Sequence, residues 1–495
     1  MTFMKTSAFP GHNCCLGKYR HINQFKLNVS MKAPLALLVV AVLAGCAPMR
    51  DAPPALATVQ PARLGLVDSR VEWPQAQWWQ RYDDPQLNSL VQDALAGSPS
   101  IDRARARLAQ ANAAVGSARA PLLPSLSANY GLTRQRLSEN YIYPAPLAGS
   151  VTTDQRLALD LSYELDFWGK HRHGLEAAVA RQQAAQTDVQ AARIMLAYGV
   201  VQAYLNLQTA FAQQKVLEDI GRQRRELLDL TSGRFDNGLD TQVEVRQAQS
   251  ALAQAEVQIV QTRTRIAQLR NQIAALTGNG PDRAAALVPV VLAAPAGTPP
   301  AALPLALVGR RPDVVAARWR AQAATQDIDV AKSLFYPNVN LTAFIGFQAI
   351  GLHNLIEAGS KMGGVGPAIS LPIFQGGALN ANLDARRAAS DEATADYNDT
   401  LITAVRQVAD ALDALRMLAD ERAAQTQART SIEAAYALAL DRYKAGLGNY
   451  LTVLIAQNDV MAQAQRDTDL RMRAYQLDAD LARALGGGYD EPMPE

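Results

Sequence analysis

The sequence predicts a mainly α-helical fold that carries membrane-crossing β-strands and is built as two copies of one pattern. Three observations predict it. Apolar residues recur at matched positions 213 residues apart. Four short stretches alternate apolar and polar side chains with period two. A stretch of 68 residues, 378–445, contains neither glycine nor proline.

The N-terminus comes first. Met31 and Lys32 precede an apolar run from Ala33 to Ala44, then Gly45 and Cys46. A short basic region, an apolar run and small residues at the cut describe a secretory signal. Leu43-Ala44-Gly45-Cys46 resembles the bacterial lipobox. That resemblance implies diacylation of the Cys46 thiol, cleavage before it and acylation of the new amine. A plain signal peptide with an incidental cysteine is the simpler alternative. Ala47, where similar inner-membrane lipoproteins keep Asp, implies export to the outer membrane. Residues 1–30 look unlike any signal, so the start is expected at Met31. Cys14 and Cys15 fall in the discarded segment, which leaves Cys46 alone and no disulfide. From Cys46 onward 43 basic residues face 46 acidic ones. That balance gives no electrostatic case for nucleic acid. No run of about twenty apolar residues follows position 46, so no transmembrane helix is expected.

Next come the paired short helices. Ile101, Ala104, Leu108, Ala111, Val115 and Ala118 form one stripe; Val314, Ala317, Ala321, Ala324, Ile328 and Ala331 form its copy. The three–four spacing is a heptad-like helix seam. Pro99 and Pro312 start these helices; Pro124 and Pro337 follow them. The period then changes to two. Leu126, Ala128, Tyr130 and Leu132 alternate with polar or small residues, and Val339, Leu341, Ala343 and Ile345 are the counterpart. Leu157, Leu159, Leu161, Tyr163 and Leu165 alternate with Asp160, Ser162, Glu164 and Asp166; the copy runs Val365, Pro367, Ile369, Leu371 and Ile373. Strands of about 9–11 residues cross a bilayer at a tilt. Apolar side chains would face lipid and polar ones a wet lumen. Gly-, Pro- and Ser-rich loops join each pair at 136–154 and 349–363.

Long helices follow. Residues 378–445 would span on the order of 100 Å at 1.5 Å per residue, and 449–485 are also free of Gly and Pro. In the first half a helix near 175–232 turns at Gly238, and a return helix carries Leu252, Ala255, Ile259, Ile266, Leu269, Ile273 and Leu276 on one seam. A Pro/Ala-rich connector, 279–306, joins the halves. Four strands cannot close a barrel, and an open edge in lipid leaves backbone groups unpaired. Oligomerisation is therefore required; by strand count both dimer and trimer fit.

Several motifs, in order, carry a resemblance over most of the chain: Trp78-Trp79 with Asp84-Pro85-Gln86-Leu87; Ser162-Tyr163-Glu164-Leu165-Asp166-Phe167-Trp168-Gly169-Lys170; Arg310-Arg311-Pro312-Asp313; and Ala484-Leu485-Gly486-Gly487-Gly488. Together with the repeat and the lipobox they resemble the TolC superfamily, in its lipoprotein branch serving resistance–nodulation–division (RND) efflux pumps. The resemblance implies a homotrimer with a 12-stranded β-barrel completed by three chains and a long α-helical coiled-coil barrel below it. It implies outer-membrane localisation, a periplasmic adaptor and an inner-membrane RND pump as partners, and no cofactor beyond the lipid. The expected organisation is a signal over 1–45, an equatorial segment over 46–95, a first repeat over 96–278, the connector over 279–306, a second repeat over 307–488 and a tail over 489–495.

Site residues follow from the same comparison. Arg234-Phe235 precede Gly238-Leu239, and Arg442-Tyr443 precede Gly446-Leu447 at identical spacing. Glycine there permits the positive φ that ends a helix and reverses it. A bare hairpin turn explains the glycines alone; the resemblance implies that these tips also dock the adaptor. It also implies an aperture just past the second tip, at Leu451. A position that is commonly acidic in relatives is Ile455 here, with Asp459 one turn further. Leu451 and Ile455 would bar ions as an apolar ring, or simply pack between helices. Asp160, Glu164 and Asp166 are expected on the polar face of one strand, as an acidic lumen or an ordinary wetted surface.

His171, His173 and His353 remain after Cys46, without cysteine or an acidic cluster at ligand spacing, so no metal site is expected. No GxSxG, phosphate-cradling loop or HExxH occurs, and no enzyme is expected. Two rivals remain: a channel for protein secretion, which in that superfamily generally lacks a lipobox, and a periplasmic coiled-coil scaffold lipoprotein, which leaves the strands unexplained.

Overall fold

The computed structural model describes residues 49, 56–67, 73–294, 304 and 306–490. Cys46 lies outside them, as do residues 295–303 and 305 of the connector.

The first half is α1 (Pro85–Gly97), α2 (Pro99–Arg119), β1 (Ser125–Arg136), β2 (Val151–Leu165), α3 (Lys170–Asp236) and α4 (Gln242–Leu276). The second is α5 (Pro312–Ser333), β3 (Asn338–Ile350), β4 (Lys361–Ser370), α6 (Ala378–Lys444) and α7 (Tyr450–Ala484). The repeat is close in length: α3 and α6 have 67 residues each, α4 and α7 35 each. Local chemistry sets the helix starts. Asp84 accepts a hydrogen bond from Gln86 N, with Pro85 in the first turn. Thr241 and Glu244 form a capping box, and Asn449 accepts from Thr452 N. Each such cap satisfies amides that the helix itself cannot.

Three expectations shift. Strands β1, β2 and β3 run 12, 15 and 13 residues, longer than expected, whereas β4 has 10. Strand β4 ends at Ser370, so Leu371 and Ile373 lie beyond it. Helix α3 starts at Lys170, five residues early, because the Asp166 carboxylate accepts from His171 N at 3.2 Å and Arg172 N at 2.9 Å. Asp166 is therefore a helix cap outside β2, not a residue of the strand's polar face.

The sheet is antiparallel throughout, in the order β1-β2-β3-β4, so the two halves join at the β2–β3 ladder. Its edges are β1, the first strand of the first half, and β4, the last strand of the second. The main helix contacts form two series. Near the sheet, α2 packs on α3, α3 on α5, and α5 on α6; further away, α4 packs on α3, α3 on α7, and α7 on α6. The largest core sits midway along the long helices. There Trp78, Trp79, Tyr82, Leu87 and Leu90 pack against Val200, Tyr204 and Leu207 of α3 and Ala479 of α7. No helix among the described residues is long and apolar enough to cross a membrane.

The family-like motifs have structural causes. Arg311 is buried and donates to Gln407 and to the Ala484 carbonyl, while pairing with Asp313. Gly486, Gly487 and Gly488 all have positive φ, and a Cβ on Gly486 would lie 1.8 Å from the Arg310 carbonyl oxygen. The Trp168 ring stacks on Tyr336 at 4.6 Å and its Nε1 donates to the Pro337 carbonyl, which ties the two strand–helix corners together.

Candidate functional site

Register sorts the strand side chains onto two faces. Ala128, Leu159, Ile345 and Gly363 form one cross-strand row, and Leu126, Leu161, Ala343 and Val365 another. Most large side chains on this face are exposed, such as Leu126, Ile345, Val365 and Ile369. The opposite face carries Ser127, Asp160 and Phe344 in one row and Glu164 with Asn340 in another. An exposed apolar face opposite a hydrated one is the signature of a membrane strand with a lumen.

The acids on this second face are paired locally. Asp160 pairs with Arg156 at 2.5 Å and accepts from Asn129 at 2.8 Å. Glu164 meets Lys170 at 2.8 Å and His171 at 3.2 Å. With Asp166 bound to helix amides, the three acids form no bare anionic band. His173 Nδ1 lies 2.9 Å from Gln326. Among the described residues no group of three or more metal-ligating side chains converges.

At the far end of the long helices the two tips repeat each other in backbone. Gly238 N donates to the Phe235 carbonyl and Leu239 N to the Arg234 carbonyl; Gly446 N and Leu447 N donate likewise to Tyr443 and Arg442. Gly238 has φ 73° and Gly446 φ 77°, the left-handed helix end that glycine accepts without strain. The side chains do not repeat. Leu239 and Leu447 are 65% and 71% exposed, Phe235 is exposed and Arg442 is exposed. Tyr443 is fully buried, and Arg234 is nearly so, paired with Asp240 at 2.9 Å. Burial first, then the hydrogen bond to Asp240, pushes the Tyr443 hydroxyl up to about 12. The Asp240 hydrogen bond raises the Arg234 guanidinium above its ordinary value.

Asp240 does not stand out in the sequence, although a signal exists: the second repeat has Gly448 at that register. Arg224 of α3 is equally hidden there. It is 3% exposed and donates to the Ala251 carbonyl and to Asn458 Oδ1 at 2.7 Å. Past the second tip, Leu451, Ile455 and Asp459 lie on one exposed strip of α7, whereas Val453, Ala456 and Gln457 are buried on the other side.

A two-faced sheet mounted on helices on the order of 100 Å long defines a subunit of a membrane channel with a helical extension. The family model described as outer membrane efflux protein matches residues 90–279 and 303–487, and the chain belongs to that family. It is 40% identical over 371 residues to the fusaric acid resistance protein FusA of Burkholderia cepacia, covering 72% of this chain and 70% of that one. It is 32% identical to the multidrug resistance outer membrane protein MdtP of Escherichia coli, over 90% of this chain and 94% of that one. Its fold matches the crystal structure of the outer membrane protein VceC from Vibrio cholerae with a TM-score of 0.81 and 37% identity, over 84% of this chain and all of VceC. The chain is an outer-membrane channel component of an efflux system, in a family of channels rather than enzymes.

Proposed function

We propose that three copies close a 12-stranded barrel in the outer membrane and a helical conduit beneath it, anchored by lipid on Cys46. The conduit passes small toxic compounds delivered by an RND-type inner-membrane pump through a periplasmic adaptor. The observation that carries this reading is the mainly apolar face shared by four strands whose outer edges, β1 and β4, have no partner among the described residues. Unpaired backbone in hydrocarbon costs several kcal/mol per group, so these edges must meet other copies. Twelve strands from three copies exceed the roughly eight of the smallest barrels. The names of FusA and MdtP, with fusaric acid and multidrug resistance in them, support small-molecule cargo.

The exposed Leu239 and Leu447 at the tips are the adaptor-facing groups in this reading, with Phe235 and Arg442 beside them. Arg234, Tyr443, Gly238 and Gly446 hold the tip's shape. Leu451, Ile455 and Asp459 line the aperture. Purified protein in planar bilayers should give unitary conductance and migrate as a heat-resistant trimer. Efflux should vanish in a Leu239→Glu/Leu447→Glu protein that still forms those trimers. A protein without conductance would leave only a scaffold, and unchanged resistance in the double variant would remove the docking role.

A further inference from the structure

The outward face of the sheet is not uniform from end to end. Its register positions are 126–136 of β1, 151–165 of β2, 339–349 of β3 and 361–369 of β4, taken at every second residue. Charged residues on it number three, Arg134, Arg136 and Lys361, and all are cationic. All three stand at the strand ends that border the loops, on the side away from the helices. The helix-side end of the same face has Leu126, Tyr163, Leu165, Leu341, Pro367 and Ile369, without a charge. The inward face, by contrast, carries Asp154, Arg156, Asp160 and Glu164.

This asymmetry matches the two boundaries of an outer membrane. The helices lie on the periplasmic side, so the loop end is the outer surface. Arg134 and Lys361 are exposed with no carboxylate partner among the described residues, and Arg136 meets only the loop residue Glu139, both highly exposed. Such a pair is weak in water and leaves the cation available. Directly inward of Lys361 the face is dented. Gly363 and Ala128 lack bulk beside Leu157, Leu159, Ile345 and Phe347, which leaves a depression of about 720 Å³. That lies within the ~300–1,000 Å³ of ordinary ligand clefts.

We propose that this rim binds phosphate-bearing lipid of the outer leaflet: Arg134, Arg136 and Lys361 take its phosphates, and an acyl chain lies in the depression under Lys361. The cations sit on β1 and β4, the two edge strands. Closing a barrel between copies sets β1 of one against β4 of the next, so each inter-copy seam gathers one complete cationic group. Lipid bound there would bridge the seam that no covalent link holds. The inference rests on the membrane placement of the sheet, which conductance tests separately.

The test uses full-length protein in detergent and measures lipid retained by native mass spectrometry. The probes are a diphosphorylated acylated glucosamine disaccharide and the same glycolipid stripped of phosphate. Wild-type protein should retain the phosphorylated form preferentially. A cation at a lipid surface is worth about fivefold in binding; Arg134→Ala/Arg136→Ala/Lys361→Ala should therefore lose about a hundredfold of that preference while conductance persists. Gly363→Leu, which fills the dent, should weaken retention of both forms. Equal retention of the two glycolipids by wild-type protein overturns the proposal without any variant. So does a conducting triple variant that keeps the preference. Should the triple variant fail to conduct, Lys361→Ala alone should still lower the preference about fivefold, and no change there overturns the proposal equally.

Discussion

The Arg234 guanidinium lies over the Tyr443 ring, 4.5 Å from its centroid, although the two residues come from opposite halves of the chain. Asp240 joins them: it pairs with Arg234 at 2.9 Å and accepts from the Tyr443 hydroxyl, which also meets Thr231 at 3.3 Å. One acid thus fastens the first tip to the second helix pair. Removing it by Asp240→Ala leaves a nearly buried cation without its carboxylate and a buried hydroxyl with only Thr231 Oγ1, at 3.3 Å. Hydrogen bonds to charged groups contribute about 1.5–3 kcal/mol, and the tip should loosen by that order. Trypsin cleavage at Arg234 in the folded protein should accelerate, while strand-dependent heat resistance is kept. Unchanged cleavage would show that packing alone fixes the tips.

The same cluster gives a pH dependence. An unfolded tyrosine titrates near about 10, and Tyr443 in the folded tip is pushed up to about 12. Between those values the folded state keeps a proton that the unfolded state has released. Stability then falls as pH rises. The contribution is complete below pH of about 10 and is lost through about 12. Tyr450, also raised to about 12 by burial, adds to the slope. Denaturant midpoints of wild type and Tyr443→Phe should run parallel near neutral pH and separate above pH of about 10, with the shallower slope in the variant.

Two glycines with similar φ should respond differently to alanine. Gly238, at φ 73°, has nothing within 4 Å of the place a methyl would take, so Gly238→Ala costs only the left-handed backbone, about 1–2 kcal/mol. Gly486, at φ 92°, would drive the methyl to 1.8 Å from the Arg310 carbonyl oxygen. The backbone of the equatorial core would have to move, and Gly486→Ala should sharply lower the yield of assembled protein while Gly238→Ala leaves it near wild type. Equal yields would mean that the C-terminal turn is free to shift.

Much of this fold is legible in the sequence because it is periodic. The seam at Ile101 to Ala118, the alternation at Leu157 to Leu165 and the glycine-free stretch 378–445 each state their own element. What periodicity hides is the work of single polar side chains. Val151-Thr152-Thr153-Asp154 breaks the alternation, so β2 reads short, yet its backbone pairs with β1 as far as Val151. His171-Arg172-His173-Gly174 is a poor helix start, and only the Asp166 cap explains it. The two tips read as equals because Gly238-Leu239 and Gly446-Leu447 repeat. They differ because Asp240 recruits Arg234 and Tyr443 inward, whereas Gly448 offers the second tip no acceptor.

The strip past the second tip separates a gate from a seam. Leu451 and Ile455 are exposed on α7 in the single chain, while Val453 does the packing with Tyr443 and Tyr450. A ring of leucine and isoleucine excludes ions by dewetting. Leu451→Ala and Ile455→Ala should each raise single-channel conductance, and an acid introduced as Ile455→Asp should raise cation selectivity. Conductance that ignores all three substitutions would assign the strip to packing between copies.

Arg224 tests how a buried cation is tolerated without an acid. It is 3% exposed, donates to the Ala251 carbonyl, to Asn458 and to Met461 Sδ at 3.9 Å, and has no carboxylate partner among the described residues. Burial lowers its pKa below the ordinary arginine value. Taking a cation out of water costs several kcal/mol even after relaxation, so the two ways of breaking this contact should have opposite signs. Arg224→Met keeps much of the stem's volume and removes the charge, so the relieved desolvation offsets the hydrogen bonds lost. Asn458→Leu instead leaves the guanidinium in place without its side-chain oxygen acceptor, and a hydrogen bond to a charged group contributes about 1.5–3 kcal/mol. Thermal unfolding should therefore rise or hold in Arg224→Met and drop in Asn458→Leu. A drop of equal size in both would mean that the guanidinium's hydrogen bonds outweigh its desolvation, and that three helices, α3, α4 and α7, are held together at this level by one arginine.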